Sequence, residues 1–260
     1  MSKLIERIKR ISGSANTPIG FKKHVEDTDN APILLLVDIT DNILKKAKEI
    51  VPGAADAAVL QAERLEVAAI SKYARSAQDI PVGLFMGGEH AKELITALSD
   101  VLDFVLFDLN TDIEILAGDG PGRVLMLNKT LIPAQMKAIN DLDMSIDLIC
   151  LHNAKAQIDL ELLLTCHLVA DVLHKPIAIN AAKKVSANEL THLLNAGVRA
   201  LILPADISAQ EITELKAAIA ALPRTPRRRK VFANPLIPML GSTENREEAE
   251  EDDEDVEDDE

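Results

Sequence analysis

Eight apolar runs of strand length recur along the chain, and each is nearly continuous rather than alternating. They are PILLLVD (32–38), DAAVLQA (56–62), PVGLFMG (81–87), DFVLFDL (103–109), RVLMLNK (123–129), IDLICLH (146–152), PIAIN (176–180) and ALILPA (200–205). Strands buried on both faces, as in parallel sheets, have this continuous hydrophobicity. The runs therefore predict a parallel sheet that is covered on both faces.

Helix-like segments lie between these runs. Examples are DNILKKAKEI, EHAKELITALSD, PAQMKAIND, DLELLLTCHLVADVL and SANELTHLLNAG. Capping residues or a proline begin several of them, at Asp41, Pro133, Ser186 and Ser208, and Gly197 ends one. Strand and helix alternate eight times, which indicates eight βα units.

The strands are of two kinds. Proline begins or closely precedes the odd-numbered runs, at Pro32, Pro81, Pro121 and Pro176, whereas a charged residue begins the even-numbered ones, at Asp56, Asp103, Asp147 and Arg199. This alternation indicates a strand–helix–strand–helix unit repeated four times, with a period of roughly 48 residues.

Eight βα units that close on themselves form a (β/α)8 barrel. Over residues 32–222 the chain resembles TIM barrels, in the pattern of the fold and not in the motifs of any one enzyme family. The alternative is an open, doubly wound sheet, but no G-x-G-x-x-G follows the first strand and no reversal of strand order is indicated. We predict an α/β fold, a compact (β/α)8 barrel with an N-terminal helix and a disordered acidic C-terminal tail.

Four regions are predicted along the chain. Residues 1–31 form a basic amphipathic helix and a linker, 32–222 the barrel, 223–242 a basic and apolar extension with prolines, and 243–260 the acidic tail. The N-terminal helix carries Leu4, Ile5, Ile8 and Ile11 on one face. Such a helix suits three roles: covering the lower end of the barrel, binding a partner, or touching an anionic membrane surface.

Composition and charge narrow the classes of function. Aromatic residues make up only 2% of the chain, which argues against modules that stack nucleic-acid bases. Cys150 and Cys166 stand in apolar surroundings without metal-ligand spacing and are predicted to be buried thiols in a reducing compartment. No apolar run approaches the roughly 18 residues of a spanning helix. The sequence therefore predicts a cytoplasmic location.

The acidic tail accounts for most of the net charge of −14. Residues 247–260 hold 12 acidic side chains, and the remainder of the chain is only −2. Runs of like charge are typically disordered and often contact basic partners. The tail is expected to bind a basic protein or to screen the basic patch PRTPRRRK (223–230) of its own chain.

Candidate chemistry lies at the C-terminal ends of the strands, where barrel enzymes place their catalytic groups. Aligning the even strands on their first charged residue puts Gln61, Asp108, His152 and Pro204 in one row that should face one way. The catalytic candidates, as acid, base or metal ligands, are Asp38, Asp108 and His152. The ligand-binding candidates at the other strand ends are Gln61, Glu63, Gly87, Gly88, Asn128 and Asn180.

Asp38, Glu63, Asp108 and His152 are also the ligand types that hold a divalent metal. The competing interpretation is that strand ends meet water, where polar residues are expected in any case. No nucleotide-cofactor motif occurs, and the loops after the seventh and eighth strands lack the glycines of a phosphate site. Lys129 has the opposite parity to Asn128 and is interpreted as a loop lysine rather than a Schiff-base residue.

Two hypotheses of function remain open at this point. The first is a compact, degenerate barrel that acts as a binding or scaffold protein, with its charged termini as contact elements. The second is a small-molecule lyase or isomerase, with or without a metal, whose ligand binds at the barrel mouth.

Overall fold

Eight parallel strands pair in sequence order and close into a barrel in the computed structural model of the chain. The structure describes residues 2–13, 31–39, 54–61, 67–77, 80–86, 91–98, 100–116, 120–127, 131–153, 157–181 and 184–222. The predicted linker, basic patch and acidic tail, with its expected basic partner, lie outside the described residues.

The strands coincide with the eight apolar runs. They are β1 Leu34–Ile39, β2 Ala57–Gln61, β3 Val82–Phe85, β4 Phe104–Phe107, β5 Gly122–Leu127, β6 Leu148–Leu151, β7 Ile177–Asn180 and β8 Val198–Leu203. Parallel pairing of β8 with β1 closes the sheet. The predicted (β/α)8 barrel is confirmed, and the open doubly wound sheet is excluded.

Helices follow most of the strands and cover the outer face of the sheet. Those described are α1 Lys3–Ile11, α2 Val67–Ser76, α3 Ala91–Leu98, α4 Pro133–Asn140, α5 Leu160–Leu173, α6 Ala187–Asn195 and α7 Ala209–Ala220. Between β4 and β5, the helical element in the described residues is a short 3-10 helix, Ile113–Leu116. None of the helices in the described ranges is long and apolar enough to span a membrane.

The helix-capping residues predicted from the sequence form capping hydrogen bonds in the structure. The Ser186 hydroxyl accepts the amide of Glu189 at the start of α6, and the Ser208 hydroxyl accepts that of Glu211 at the start of α7. Gly197, after the end of α6, has a φ of +94°, a left-handed value that favours glycine. These short-range interactions explain why the helix starts and this helix end are visible in the sequence.

The core is divided into two layers by the barrel wall. The larger layer lies between the strands and the surrounding helices. The smaller layer fills the barrel, and its residues on the strands are Leu34, Leu36, Ala57, Val59, Phe104, Leu106, Val124, Leu148, Cys150, Ala178, Ala200 and Ile202. Alternate residues of each strand therefore face inward, and both faces of the strand are apolar.

Gly83 and Phe104 are packed together inside the barrel. The Phe104 side chain is fully buried, and a Cβ atom placed on Gly83 would lie 2.1 Å from its ring. Real Cβ contacts are never this short, so the ring occupies the space that any larger residue at 83 would need. Glycine in this strand is explained by the close approach of the aromatic ring.

The N-terminal helix α1 seats against the N-terminal end of the barrel. Leu4, Ile5 and Ile8 are buried together with the residues of the barrel interior. Gly122, the first residue of β5, leaves room for this contact, because a Cβ atom there would lie 2.6 Å from the Ile5 side chain. The apolar face of α1 is thus covered by the barrel and is not exposed to a membrane surface.

The aspartates that begin the even strands hold α1 in place. Asp103 accepts hydrogen bonds from the Ser2 hydroxyl at 2.7 Å, the Lys3 amide at 2.7 Å and the Leu4 amide at 3.0 Å. It thereby satisfies amides at the start of the helix, where negative charge is favourable.

Two more of these aspartates form ion pairs with α1. Asp56 pairs with Arg7 at 3.1 Å and also accepts the backbone amide of Leu35 at 2.9 Å. Asp147 pairs with Lys9 at 3.1 Å. The repeated acidic position noticed in the sequence is therefore structural, since it anchors the N-terminal helix.

Candidate functional site at the C-terminal end of the barrel

Three of the predicted site residues lie on strands and face the barrel interior. Asp38 follows the inward-facing Leu36 by two residues, and Asn180 follows the inward-facing Ala178 by two. Gln61 ends β2 with the same parity. Side chains two apart on a strand point to the same face, so the C-terminal end of the barrel carries polar groups above an apolar interior.

Asp38 and Gln61 are in direct contact. The Gln61 Nε2 group donates a hydrogen bond of 2.8 Å to Asp38 Oδ2, and both side chains are partly buried. A hydrogen bond of this kind fixes the orientation of the carboxylate. The pair connects β1 to β2 and presents a positioned carboxylate at the mouth.

Two apolar residues share the height of Asp38 in the barrel. Because the strands tilt, residues at one height come from alternate strands. Counting the pairing register around the barrel gives one such layer: Asp38, Phe85, Met126 and Asn180. Phe85 and Met126 are only partly buried and pack on the interior cluster. The sequence did not single them out, although the same two-residue alternation applied to the odd strands would have found them.

Asn180 contacts a buried thiol beneath it. The Cys150 sulfur donates a long hydrogen bond of 4.0 Å to Asn180 Oδ1. Burial raises the pKa of the Cys150 thiol to about 12, so it is protonated at neutral pH and can serve as this donor. The contact places Oδ1 of Asn180 on the side of the barrel interior.

Cys150 and Cys166 are both buried thiols, as the sequence predicted. Since the thiolate is the reactive form, the high pKa and burial should make Cys150 inert. We expect neither thiol to react with iodoacetamide at pH 8 in the folded protein, and both to react after unfolding in guanidinium, as counted by mass spectrometry. Modification of Cys150 in the folded protein would contradict the dry barrel interior.

Asp108 is engaged in its own turn after β4. Its Oδ1 atom accepts the Asn110 amide at 2.9 Å and the Thr111 hydroxyl at 3.2 Å. Asp and Asn commonly stabilise turns by such local bonds. The parity of Asp108 is that of the inward row, but its contacts are those of the solvated strand end that the sequence also allowed.

His152 lies at the exposed end of β6, where its backbone amide bonds to Leu127. Among the residues that the structure describes, no three His, Cys, Asp or Glu side chains are close enough to hold a metal ion. Asp38, Asp108 and His152 are therefore not brought together as a metal centre.

Five of the residues considered in the sequence lie outside the described residues, and their roles stay predictions. They are Glu63, Gly87, Gly88, Asn128 and Lys129.

A cavity of about 390 Å³ lies at the opposite end of the barrel. It is bounded by α1 and by the residues before β5 and β6, and its lining includes Lys9 and Asp147, which pair with each other. The candidate residues at the C-terminal strand ends take no part in it. Its position between α1 and the barrel indicates that the helix does not fill all of the space at this end of the barrel.

Comparison with known proteins gives likeness in fold only. Neither the protein-family models nor the curated proteins include a match to this sequence. Among solved structures, a mutant tryptophan synthase alpha-subunit from Pyrococcus furiosus superposes with a TM-score of 0.55 at 11% identity, over 72% of this chain and 96% of that one. The 3-dehydroquinate dehydratase from Geobacillus kaustophilus HTA426 gives 0.52 at 14% identity, over 71% and 90%. The chain therefore has the TIM-barrel fold.

Proposed function

We propose that this protein is a small-molecule enzyme of lyase or isomerase type, acting at the C-terminal end of the barrel with Asp38 as its acid–base group. The observation that carries the proposal is the inward-facing Asp38 carboxylate, held by Gln61 at 2.8 Å. Of the two hypotheses drawn from the sequence, this is the alternative one.

The surroundings of Asp38 suit proton transfer to and from a small organic molecule. A general base needs a fixed carboxylate within reach of the substrate, and the bond from Gln61 supplies the fixed orientation. Asn180, at the same height, carries an amide group that can donate a hydrogen bond to a carbonyl or hydroxyl oxygen of the substrate. Phe85 and Met126 offer apolar surface for the carbon skeleton.

The two named neighbours are enzymes, one a subunit of a synthase and one a dehydratase. Their identity to this chain is too low to transfer a reaction, and fold alone does not determine function. They support the proposal only in that this barrel architecture carries small-molecule catalysis at the same end of the strands.

A binding or scaffold role is the second candidate, and a different observation favours it. Leu160 and Leu164 on the outer face of α5 are 71% and 61% exposed. Large exposed apolar patches on soluble proteins commonly mark interaction surfaces. The two roles are compatible, because the surface lies on the outside of the barrel and the candidate site at its mouth.

Native mass spectrometry tests the proposed site. The full-length protein is incubated with the low-molecular-weight fraction of a cell extract, desalted and weighed, beside the variants Asp38→Asn and Asp143→Asn. Asparagine at 38 can still accept from Gln61, so the barrel should fold, but the charge and basicity are lost. Asp143 is exposed after α4 and serves as the matched control.

We expect the wild-type protein and Asp143→Asn to retain the same small molecule, and Asp38→Asn to bind it at least tenfold more weakly, consistent with loss of one charged hydrogen bond of about 1.5–3 kcal/mol. Equal retention by Asp38→Asn would refute the role of Asp38. A bare chain under all conditions would favour the scaffold role instead.

A further inference from the structure

An exposed leucine stripe runs along the outer face of α5. Leu160, Leu164 and Leu168 are 71%, 61% and 40% exposed, while Leu162, Cys166 and Val169 of the same helix are buried against the barrel. Residues four apart on a helix lie one above the other, so the three leucines form a continuous ridge. An amphipathic helix of a monomer would carry polar residues here.

The neighbouring helix α4 adds to this surface. Of the eight large apolar side chains that are exposed in the described part of the chain, three lie on α5 and two lie on the residues that flank α4. The two on α4's flanks are Ile132, 57% exposed before the helix, and Leu142, 47% exposed after it. The Asn140 side chain bonds to the carbonyl of Val172 at 2.9 Å and ties α4 to α5.

We propose that this surface, the α4–α5 face, is the interface of a homodimer in which α5 packs antiparallel against α5 of a second copy, about a two-fold axis at Leu164. A two-fold interface must be complementary to itself. The stripe meets this requirement, because rotation about Leu164 places Leu160 of one copy against Leu168 of the other.

The charges of α5 are compatible with the antiparallel arrangement. In a parallel pair, Glu161 and Asp171 would each lie level with the same acidic residue of the second copy. In the antiparallel pair, Glu161 is level with His167, and the height of Asp171 falls before the first residue of the second copy's helix. No two carboxylates of the helix therefore face each other at the same height. Like charges placed opposite each other would disfavour the complex.

The size of the surface sets the expected affinity. α5 has 14 residues and is therefore about 21 Å long, and its contact face of about 10 Å width supplies roughly 200 Å². A standard interface buries about 800 Å² per partner, so the stripe is the apolar core and α4 supplies part of the rest. We expect a dissociation constant of roughly 1–100 μM, not an obligate dimer.

Sedimentation equilibrium of the full-length protein tests the dimer. It should be run near 0.15 M salt, where the Debye length of about 8 Å screens repulsion between two acidic chains. The wild type should shift from monomer to dimer across the micromolar range. Leu164→Glu should weaken association at least tenfold, whereas Val67→Glu, on the 42% exposed position of α2, should not.

Disulfide trapping fixes the position of the axis. Leu164→Cys should form a covalent dimer under mild oxidation, because two copies of residue 164 meet at the two-fold axis, and Val67→Cys should not. A wild-type protein that stays monomeric throughout this range would overturn the proposal. So would a dimer unaffected by Leu164→Glu, which would place the interface elsewhere.

Discussion

Replacing Gly83 with alanine is expected to destabilise the barrel by about 3 kcal/mol, the upper end of the range for overpacked cores. The new methyl group would lie 2.1 Å from the Phe104 ring, which is fully buried and enclosed by the other interior residues. The ring cannot move aside without displacing the layers above and below it, because protein interiors are closely packed. Urea unfolding followed by far-UV circular dichroism measures the change.

Two further variants make this result specific to the ring. Gly120→Ala introduces the same methyl group where no atom lies within 4 Å, and should change stability by less than about 0.5 kcal/mol. Phe104→Leu combined with Gly83→Ala should be less destabilising than the sum of the single changes, since the smaller side chain vacates the contested space. Additive effects would show that the clash is not with Phe104.

Replacing Asp103 with alanine is expected to lower the free energy of local opening of α1 from the barrel by about 2–3 kcal/mol. The variant loses one partly buried carboxylate that accepts three hydrogen bonds from the start of the helix. Bonds to charged groups contribute about 1.5–3 kcal/mol each, but three bonds to one group are not additive. Because α1 covers the end of the barrel interior, its amides should open locally before the barrel unfolds.

Hydrogen exchange measures this opening directly. Amides of Ile5 to Ile11 should exchange roughly 30–100-fold faster in Asp103→Ala, with little change in the central strands, since 1.4 kcal/mol corresponds to a factor of ten. Asp103→Asn keeps one acceptor oxygen, so its α1 amides should exchange at rates between those of the wild type and of Asp103→Ala. Asp100→Ala, at an exposed position in the preceding turn, is the matched control. Unchanged exchange in α1 would show that the apolar contacts alone hold the helix.

Much of the fold was predictable because its signals are local. Each strand is an uninterrupted apolar run, and helix boundaries are marked by side chains that bond to amides a few residues away, as at Ser186 and Ser208. The repeated proline and aspartate positions also gave the number of βα units. Closure follows from eight such units with no reversal of order.

The candidate site was predictable only in part. The common parity of Gln61 and Asp108 follows from strand alignment, and Asp38 was placed at the end of β1. Direct contact between Asp38 and Gln61 depends on the register of two strands, and 17 residues separate the end of β1 at Ile39 from the start of β2 at Ala57. The turn that engages Asp108 depends on the exact path of a loop, and loops carry no periodic signal.

The sequence by itself determined the elements and their order, because strand and helix formation depends on nearby residues and on the period of hydrophobicity. Only the tertiary structure decided which face of each strand is the interior. Helices cover the outside and side chains fill the inside, so both faces are equally apolar and the pattern does not distinguish them. For the same reason, only the structure showed that Asp103 anchors α1, that Phe85 and Met126 lie beside Asp38, and that Gly83 makes room for Phe104.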